Sequence, residues 1–366
     1  MGKIDELIKQ FCPNGVEVVE LGKIAKLVRG KVISKKYVLD NNGEYPVYSS
    51  QTSNNGEFGR INTYMFDGDY VTWTTDGAYA GTVFRRTGKF NITNICGLIK
   101  LEVSSINVGF LYYWLAITAK KYVNRATDNP KLMSNVVATI KVPLPPLAVQ
   151  KKIVEILDTF TGMIDNLQKE LEQRQKQFEY YRSKFFAYNE DECDWFSLPM
   201  ISENCDRKRK PIKGSKREKG IYPYYGASGI VDYVKDYILD GEYLLISEDG
   251  ANLVARNTPI AFSIEGKNWV NTHAHVVKFN SLNDQRFVEY YFNSIDLTPW
   301  ISGGAQPKLN QENLNKILIP YPSVERRNII VDTLKSFEAL ISNIKQEIEL
   351  RQKQYEYYRE KLLTFE

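Results

Sequence analysis

The sequence predicts an α+β protein in which one globular module occurs twice, each copy being followed by a long helix. Three observations lead to this fold class. The string RQKQFEYYR at 174–182 returns as RQKQYEYYR at 351–359. Apolar residues recur in steps of four and three around both strings, as in a coiled coil. Short alternating runs rich in Val, Ile and Tyr lie outside these helices and are typical of β-strands.

The repeat extends over the whole chain. Adding 177 to a position in the first half reaches a matching residue in the second, as for Leu21 and Leu198. Within each copy the offset slips to 173, where FDGDYVTWTTDGA at 66–78 faces LDGEYLLISEDGA at 239–251. Insertions of this kind are typical of surface loops on a shared scaffold. We therefore predict four segments: module one at 1–145, helix one at 146–189, module two at 190–322 and helix two at 323–366.

The two helices predict an antiparallel coiled coil. Each has an apolar stripe with one polar member, Arg174 in the first and Arg351 in the second, and a polar residue at a seam can fix the register. Prolines at 142–147 and 319–324 exclude helix interior there, so each helix begins just after them. The first helix carries the chain from module one to module two, so the second is expected to run back along it. About 38 residues give a helix on the order of 55 Å long, and the two modules are then related by an approximate twofold axis.

Inside the modules, YLLIS at 243–247 and HVVKF at 275–279 predict strands. The runs RFVEYYFN at 286–293 and GFLYYWLA at 109–116 predict helices. The order of the strands does not follow from these patterns.

The composition is that of a folded soluble protein, because 43% of the 366 residues are apolar and 25% are charged. No apolar run reaches the roughly 18 residues that a membrane span needs. The opening MGKIDELIKQF predicts an amphipathic helix without a signal core, so we expect a cytoplasmic protein. No CxxC pair occurs, which argues against zinc and predicts free thiols at Cys12, Cys96, Cys193 and Cys205.

The charge distribution points towards nucleic acid more than the net charge does. The net charge of +4 arises from 48 basic and 44 acidic residues. RKRKPIKGSKREK at 207–219 contains eight Lys or Arg against Glu218 alone. Such a run can neutralise phosphates of DNA or RNA, although a solvated loop is the alternative. The candidate DNA contacts in it are Arg207, Lys208, Arg209 and Lys210.

Two polar loops at equivalent positions suit base reading. YSSQTSNNG at 48–56 and YGASGIV at 225–231 combine a leading Tyr with small and amide side chains. Gln51 can pair with adenine, and Arg85 or Arg86 with guanine, in the major groove. The alternative is that these residues only form turns. The candidates from the loops are Tyr48, Ser49, Gln51, Tyr225, Ala227 and Ser228.

A second pair of loops, ATDNPKL at 126–132 and GGAQPKL at 303–309, places a lysine after a proline. If each loop is the turn that starts a helix, the ammonium groups of Lys131 and Lys308, with Gln306 and free backbone N–H groups, can meet DNA phosphate. A simple helix-capping turn is the alternative.

No enzyme site can be assembled from the sequence. The DNP at 128–130 resembles a methyltransferase motif, but Lys131 follows it, and DGAYAG at 76–81 lacks the frame of a cofactor loop. Both histidines lie in the second half, where His273 and His275 face Asn94 and Cys96 of the first. They can bind metal or DNA, or form a structural pair. The remaining candidates, interpreted as loop-positioning or cytosine-facing groups, are Thr75, Asp76 and Asp249.

Together these motifs resemble the DNA specificity subunit of Type I restriction-modification systems. The resemblance rests on YP(V/Y)Y, DG(D/E)Y, DGA, (A/G)xxxPKL and (V/I)PxP in two modules, each followed by a helix ending RQKQxEYYR. It implies two target recognition domains that read a bipartite asymmetric DNA target, with the helices setting the gap. It also implies two modification subunits that carry S-adenosylmethionine and the adenine methyltransferase site, and an ATP-dependent restriction subunit with Mg. The chain itself is then non-catalytic and binds no cofactor.

The resemblance suggests that the repeated string serves both helix pairing and docking of two copies of one partner. The residues assigned to this surface and to the coiled coil are Leu167, Arg174, Tyr180, Tyr181, Ile344, Arg351, Tyr357 and Tyr358. A role of the polar residues in coiled-coil solubility alone is the alternative. For the whole protein, the alternatives are a two-module interaction adaptor without a DNA role, or a self-sufficient methyltransferase or nuclease.

Overall fold

The computed structural model describes residues 15–126, 128–189, 191–304 and 306–365. The predicted N-terminal amphipathic helix and Cys12 lie outside these residues. Short 3₁₀ turns join the elements of the first half, which are β1 (Val18–Glu20), β2 (Ala25–Arg29), α1 (Lys35–Asp40), β3 (Tyr45–Tyr48), β4 (Glu57–Ile61), β5 (Phe66–Thr74), β6 (Val83–Ile92), β7 (Cys96–Leu101), α2 (Val108–Thr118), α3 (Ser134–Ala138), β8 (Lys141–Pro143) and α4 (Leu147–Phe185).

The second half repeats this order with shorter strands. Its elements are β9 (Asp194–Ser197), α5 (Leu198–Ile201), β10 (Glu203–Asn204), β11 (Lys219–Gly226), β12 (Gly229–Val234), β13 (Leu239–Asp240), β14 (Tyr243–Ser247), α6 (Asn252–Ala255), β15 (Ala261–Ile264), β16 (Lys267–Val270), β17 (Ala274–Lys278), α7 (Leu282–Ser294), α8 (Gln311–Leu314), β18 (Leu318–Tyr321) and α9 (Val324–Leu362). The strands and helices predicted inside the modules are confirmed. Among the described residues, no helix is long and apolar enough to cross a membrane.

Strand order shows that the two halves share one topology. The first half forms a sheet in the order β2-β7-β5-β6-β3-β4. The second forms β10-β17-β14-β15 and β12-β11-β16-β13, which is the same order with the strands equivalent to β5 and β6 each split in two. In both halves the parallel strand pairing joins equivalent strands, β3 with β6 and β11 with β16. The predicted α+β fold class and internal duplication are therefore confirmed.

The split in the second half lies at a pair of facing glycines. In the first half β5 pairs with β6 without interruption from Phe66 and Phe90 to Trp73 and Val83. In the second half β13 and β14 pair with β16 and β15 in one continuous register, and between them Gly241 donates its N–H to the carbonyl of Gly266 over 3.1 Å. Gly266 has a left-handed φ of 69°, and its counterpart Gly88 has a φ of 75° inside the unbroken β6. The glycine conformation is therefore common to both halves and does not explain the split.

The chain forms two compact units whose limits fall inside the long helices. One unit contains the chain up to Leu167 together with the residues from Glu347 onwards, and the other is Gln168–Gln346. Each unit thus combines one module with one end of α4 and one end of α9. The helices begin just after their proline-rich leads, as predicted. The division of the sequence into four segments stays a prediction.

The first unit takes part of its core from the end of the chain. Its α2 is apolar around its whole circumference and begins at Asn107, whose side chain accepts a hydrogen bond from the N–H of Phe110. Leu362 and Leu363 are buried in the same cluster as α2, and the ring of Phe365 lies 6.0 Å from that of Phe110. Burial of this apolar surface stabilises the unit. Residues near the C-terminus are therefore part of the core of the N-terminal module.

The second unit is completed in the equivalent way by the end of α4. Phe186, which corresponds to Leu363, is buried with its ring 5.1 Å from Phe287 and 5.6 Å from Tyr291 of α7. Its core also contains Ile330 and Leu334 from the start of α9. Each unit therefore buries the start of the helix that follows its own module and the end of the other long helix.

Equivalent ring pairs lie at the seam of the helices within each unit. Phe160 stacks on Tyr358 at 5.2 Å in the first unit, and Tyr181 stacks on Phe337 at 5.5 Å in the second. The repeat relates Phe160 to Phe337 and Tyr181 to Tyr358, so the two contacts are copies of one another. In both units the start of one helix meets the end of the other, which confirms the antiparallel pairing.

The two polar seam residues make matching contacts on their own helices. Arg174 contacts Glu170 and donates to Gln177, while Arg351 contacts Glu347 and donates to Gln354. Both arginines are partly buried. Leu167 is also partly buried, and its counterpart Ile344 is buried. Arg174 and Arg351 are therefore accommodated in the seam by a carboxylate one turn earlier.

A tyrosine of each module also anchors a long helix. The hydroxyl of Tyr113 donates to Asp158 of α4 over 2.6 Å, and that of its counterpart Tyr290 donates to Glu338 of α9 over 2.7 Å. Burial, followed by the hydrogen bond to the carboxylate, raises the pKa of both phenols. The two carboxylates lie one helical turn apart in the repeat, so the anchor keeps its geometry while its sequence position has shifted.

Replacing Leu157 or its counterpart Leu334 with Ala should destabilise the unit that contains it by about 2–5 kcal/mol, because each leucine is fully buried and the cavity cannot close completely. Denaturant unfolding combined with hydrogen exchange would measure the loss and assign it to a unit. Leu350→Ala is the control, since Leu350 is 55% exposed on α9. A control variant as unstable as the core variants would contradict the assigned packing.

Candidate nucleic-acid interface

Both units hold the Pro-Lys-Leu segment against the end of a central strand through the same hydrogen bonds. We call residues 130–132 and 307–309 the PKL loops. In the first unit the N–H of Leu132 donates to the carbonyl of Thr75 over 2.9 Å, and the N–H of Gly77 donates to that of Pro130 over 3.0 Å. In the second, Leu309 donates to Glu248 over 2.7 Å and Gly250 to Pro307 over 3.0 Å. The PKL loops are therefore built identically on β5 and β14.

The lysine in each PKL loop is exposed, but its backbone is not free. Lys131 exchanges backbone hydrogen bonds with Asn124, and Lys308 does so with Ser302. The helices that follow begin only at Ser134 and Gln311. The predicted helix-start turn with free N–H groups is therefore wrong, because these groups pair within a small β-bridge. The ammonium groups remain at the surface, and that of Lys308 lies 3.1 Å from Glu248.

The carbonyl of the leucine in each PKL loop receives a side-chain hydrogen bond from a different residue type. In the first unit Trp73 Nε1–H donates to the carbonyl of Leu132 over 3.0 Å. In the second unit His275 Nε2 lies 2.8 Å from the carbonyl of Leu309. The indole covers Gly97 so closely that a Cβ there would lie 2.2 Å from the ring. The cross-strand pair is Trp73 with Gly97 in one unit and Ile246 with His275 in the other.

This register corrects the predicted counterparts of the two histidines. Because Trp73 corresponds to Ile246, Gly97 rather than Cys96 corresponds to His275. The same shift makes Ile95 rather than Asn94 the counterpart of His273. Backbone hydrogen bonds agree, since Thr75 donates to the carbonyl of Ile95 over 3.2 Å and Glu248 to that of His273 over 2.9 Å. The offset at this point is 178, a slip that could not be read from the sequence.

His275 belongs to a buried ion-pair network. Its side chain is 1% exposed, and Nδ1 lies 2.7 Å from a carboxylate oxygen of Asp206. Its Nε2 faces the carbonyl of Leu309, which can only accept a hydrogen bond. The Arg209 guanidinium lies 3.0 Å from Asp206 and 2.6 Å from Glu248. Of the alternatives for the histidines, a structural role therefore holds for His275.

The electrostatics of this network favour two ionised carboxylates. Burial acts to raise the pKa of Asp206, but the hydrogen bond and charge of His275 outweigh it and the pKa is lowered. For Glu248, burial is outweighed by Arg209, His275 and Lys308, and the pKa is again lowered. Potential ligand atoms of Asp206, Glu248 and His275 lie within 4.8 Å of one another. A metal ion would have to displace Arg209 from both carboxylates, so the donor set fits an ion-pair network rather than a metal.

Arg29, which the sequence did not single out, makes contacts in the first unit like those of Arg209 in the second, although its position in the repeat corresponds to Asp206. Its Nε donates to the carbonyl of Asn94 over 3.0 Å, and its Nη2 donates to Thr75 over 3.1 Å and lies 3.9 Å from Asp76. Arg209 similarly reaches carbonyl groups before and within β17. The only sequence signal is an arginine at the end of a strand, which has no distinct pattern. Arg209 is 13% exposed, so it is not free for DNA in this structure, contrary to its predicted role.

Several candidates of the first unit have structural roles instead. Arg86 is 2% exposed, and its guanidinium lies 3.6 Å from the ring centre of Tyr48. Burial lowers the pKa of Arg86. Ser49 and Thr75 are also buried, where Ser49 contacts the Thr93 hydroxyl and Thr75 contacts Asp76. Arg86, Ser49 and Thr75 do not reach the surface, so in this structure they are not available for the DNA contacts predicted for them.

The remaining candidates of the first unit are partly accessible. Gln51 donates from its side-chain nitrogen to the carbonyl of Glu57, which fixes the amide. Arg85 is paired with Asp69 at 2.9 Å and Asp158 at 3.4 Å, so it links the sheet to α4. The loop itself is turned by Asn54 and Asn55, whose φ angles of 47° and 51° are left-handed. Its backbone shape is therefore set by asparagines that tolerate this conformation.

The second loop and the basic run surround the equivalent end of the second sheet. The Ser247 hydroxyl donates to the carbonyl of Ala227, while Ser228 is exposed at the turn and Tyr225 is partly buried, with its ring 6.0 Å from Phe262. The basic run is pinned by Trp269, whose Nε1–H donates to the carbonyl of Lys210 over 2.6 Å. Its exposed members are Arg207, Lys208, Lys210, Lys213, Lys216 and Lys219.

Two other candidates of this unit lie at the surface. Gln306 is exposed beside the PKL loop. His273 is 52% exposed, and its Nδ1 lies 2.9 Å from both carboxylate oxygens of Asp249. The base contacts assigned to these accessible side chains stay predictions.

The tyrosines of the repeated string divide into two classes. Tyr181 and Tyr358 stack in the seam, so they are part of the helix packing. Tyr180 and Tyr357 are 60% and 56% exposed. These two are the most exposed of the four and remain available as a docking surface. The described cysteines Cys96, Cys193 and Cys205 are free thiols, as predicted.

Replacing Trp73 and His275, the side chains that donate to the leucine carbonyls of the PKL loops, should have unequal effects on stability. His275→Leu should cost about 3 kcal/mol or more, because it leaves the buried Asp206 network incomplete. Trp73→Phe removes one hydrogen bond and should cost about 1–3 kcal/mol. Denaturant unfolding would give these losses, and hydrogen exchange should show faster exchange at the PKL loop of the altered unit. Faster exchange at the loop of the other unit, or equal losses, would be evidence against the described anchors.

The family of the chain follows from comparisons that agree with this duplicated architecture. Residues 13–174 and 196–350 match the Type I restriction modification DNA specificity domain. A protein of Mycoplasma pneumoniae assigned as a putative type I specificity subunit is 31% identical over 364 residues, covering 96% of this chain and 98% of that protein. The specificity subunit of the MpnII type I restriction enzyme of the same organism is 41% identical over 180 residues, covering 48% and 54%.

Solved structures share the fold. The S subunit of a Type I restriction-modification system from M. genitalium aligns with a TM-score of 0.69 at 16% identity and covers 96% of this chain and 97% of its own. A chain from a structure that addresses complex assembly of the type I R-M system aligns with a TM-score of 0.57 at 14% identity, covering 96% and 98%. On the matches to both halves and over the full length, the chain belongs to the family of Type I restriction-modification DNA specificity subunits.

Proposed function

We propose that this chain reads a bipartite, asymmetric DNA target, each unit contacting one half of the target. The observation that carries the proposal is the duplicated PKL loop. Identical backbone hydrogen bonds place one exposed lysine, Lys131 or Lys308, at the end of a central strand in each unit. A lysine that contacts phosphate positions a protein on DNA, whereas neighbouring side chains specify bases.

Differences between the units support an asymmetric target. The first unit flanks its PKL loop with the loop at 49–56, shaped by left-handed asparagines. The second has a short turn between β11 and β12, together with the basic run, of which six members are exposed. A shared phosphate-facing frame with unlike neighbouring side chains predicts half-sites of unlike sequence.

The helices supply the docking surface for partner subunits. Tyr180 and Tyr357 are exposed at equivalent positions of the repeated string, among Gln, Lys and Glu side chains. Large exposed aromatic residues are frequent at protein interfaces. Two equivalent sites suit two copies of one modification subunit, and a restriction subunit completes the complex. Such a role places the chain with DNA in the cytoplasm.

The chemistry of the complex then lies on the partners. The one cluster of acidic and histidine ligands among the described residues is occupied by Arg209. S-adenosylmethionine, ATP and Mg would accordingly bind to the modification and restriction subunits, and this chain would act as a non-catalytic subunit. Binding of S-adenosylmethionine by the purified chain would count against this division.

Selection of bound duplexes from a random DNA library tests the proposal directly. The purified chain is used with and without a candidate methyltransferase partner. Enrichment of two different short motifs at a fixed gap is the expected result. The absence of enrichment even with the partner would favour the alternative of an interaction adaptor.

Tyr180→Ala and Tyr357→Ala should reduce the effect of the partner without altering the motifs.

Lys131→Ala and Lys308→Ala should each weaken DNA binding about equally for all sequences and reduce the slope of log affinity against log salt by about 1, because each removes one phosphate contact. Binding titrations at several salt concentrations, with target and scrambled duplexes, would measure this. Lys176→Ala on α4 is the matched control, since Lys176 is an exposed lysine outside the modules. A changed base preference in either PKL variant would refute a phosphate role.

A further inference from the structure

One backbone position, directly before the strand that neighbours β5 or β14, carries an apolar residue in the first unit and a polar residue in the second. Ile95 and His273 are equivalent by their backbone, since each carbonyl accepts the N–H of the residue after the strand end, Thr75 or Glu248. Both immediately precede the neighbouring strand, β7 or β17. A difference at one fixed backbone position beside an exposed lysine is where divergent base reading would be expected.

The backbone of His273 is fixed on both sides. Its N–H donates to Oδ1 of Asn271 over 2.8 Å, and its carbonyl accepts from Glu248 over 2.9 Å. Asn271 is itself buried. The imidazole therefore projects from a rigid support, which limits the entropy lost when it contacts a ligand.

The Asp249 carboxylate determines which ring nitrogen faces outward. Both of its oxygens lie 2.9 Å from Nδ1, and a carboxylate accepts hydrogen bonds only. Nδ1 therefore carries the hydrogen, and in the neutral ring Nε2 keeps a lone pair. Nε2 makes no hydrogen bond to any residue that the structure describes, and the side chain is 52% exposed. An oriented acceptor thus lies at the surface of the second unit.

Lys308 places this acceptor on the proposed DNA-facing side. Asp249 and Lys308 form a β-bridge, so the carboxylate that holds His273 and the lysine proposed to meet phosphate are neighbours. The turn at Ala227 is joined to the same strand end by Ser247. A phosphate contact, an acceptor and an exposed turn therefore share one surface.

Resting on the proposed function, we infer that the position of Ile95 and His273 specifies one base in each half-site. His273 Nε2 accepts a hydrogen bond from the exocyclic amino group of adenine or cytosine in the major groove. Ile95, partly exposed in the first unit, offers an apolar contact to the methyl group of thymine. Asp249 is the positioning residue for His273. The two units thus read different bases from the same backbone position.

Exchanging the side chains tests this inference. Library selection at pH 8 compares the native chain with His273→Ile and with Ile95→His. His273→Ile should replace the base pair that the native chain selects at a single position of one half-site with A·T oriented so that the thymine methyl faces residue 273, a change of about fivefold to a hundredfold in relative affinity. Ile95→His should weaken an A·T preference in the other half-site. Selection of A·T or of G·C by the native chain at the His273 position distinguishes adenine from cytosine as the donor.

Further variants separate base reading from a structural effect. His273→Gln keeps an acceptor and should retain part of the preference, whereas Asp249→Ala should weaken the preference while the affinity for scrambled DNA stays within about twofold. Thermal unfolding of each variant confirms that the unit is folded. A preference unchanged by His273→Ile, or a uniform loss for all sequences, would overturn the inference. No enriched motif with the native chain would instead overturn the proposed function.

Discussion

The constraint on which the structure depends is that neither module buries its core with its own segment alone. α2 and α7 pack in cores that also contain residues from both long helices. Leu362, Leu363 and Phe365 complete the first core, and Phe186 completes the second. Contacts between residues so distant in sequence carry a large loop-closure cost, so they persist because they bury apolar area. The antiparallel seam within each unit follows from this requirement.

Within that frame the sheets hold the PKL loops by backbone hydrogen bonds, which do not depend on side-chain identity. This explains how the side chain that anchors the leucine carbonyl could differ between Trp73 and His275. The indole needs room and lies over Gly97, while the imidazole needs counter-charges and has Asp206. Both solutions give the carbonyl one donor, and a buried carbonyl without a donor would cost about 1–3 kcal/mol. Geometry is kept while the chemistry around it differs.

The duplication, the helix seam and the fold class could be predicted because they produce periodic signals that extend over many residues. The interface could be predicted only in part, because short slips in the offset, to 173 and then 178, moved the counterpart of His273 from Asn94 to Ile95. Burial could not be predicted either, because Arg85 and Arg86 are adjacent and the sequence does not indicate which of the two is buried. Arg86 packs against Tyr48, whereas Arg85 stays partly exposed. That difference depends on the pleat of β6, which turns neighbouring side chains to opposite faces of the sheet.

The backbone hydrogen bonds that hold the PKL loops are separate from the side chains proposed to contact bases. This separation also accounts for where the two units can differ. Substitutions at Ile95 and His273 change a surface side chain while the carbonyl behind it keeps its partner, so they alter little of the core. Substitutions at His275 or Arg209 disturb buried charges that compensate one another, and these are costly. A chain built in this way can change the chemistry of one unit without affecting the fold of the other, because the contacts that complete each core lie on the long helices rather than at the ends of the central strands.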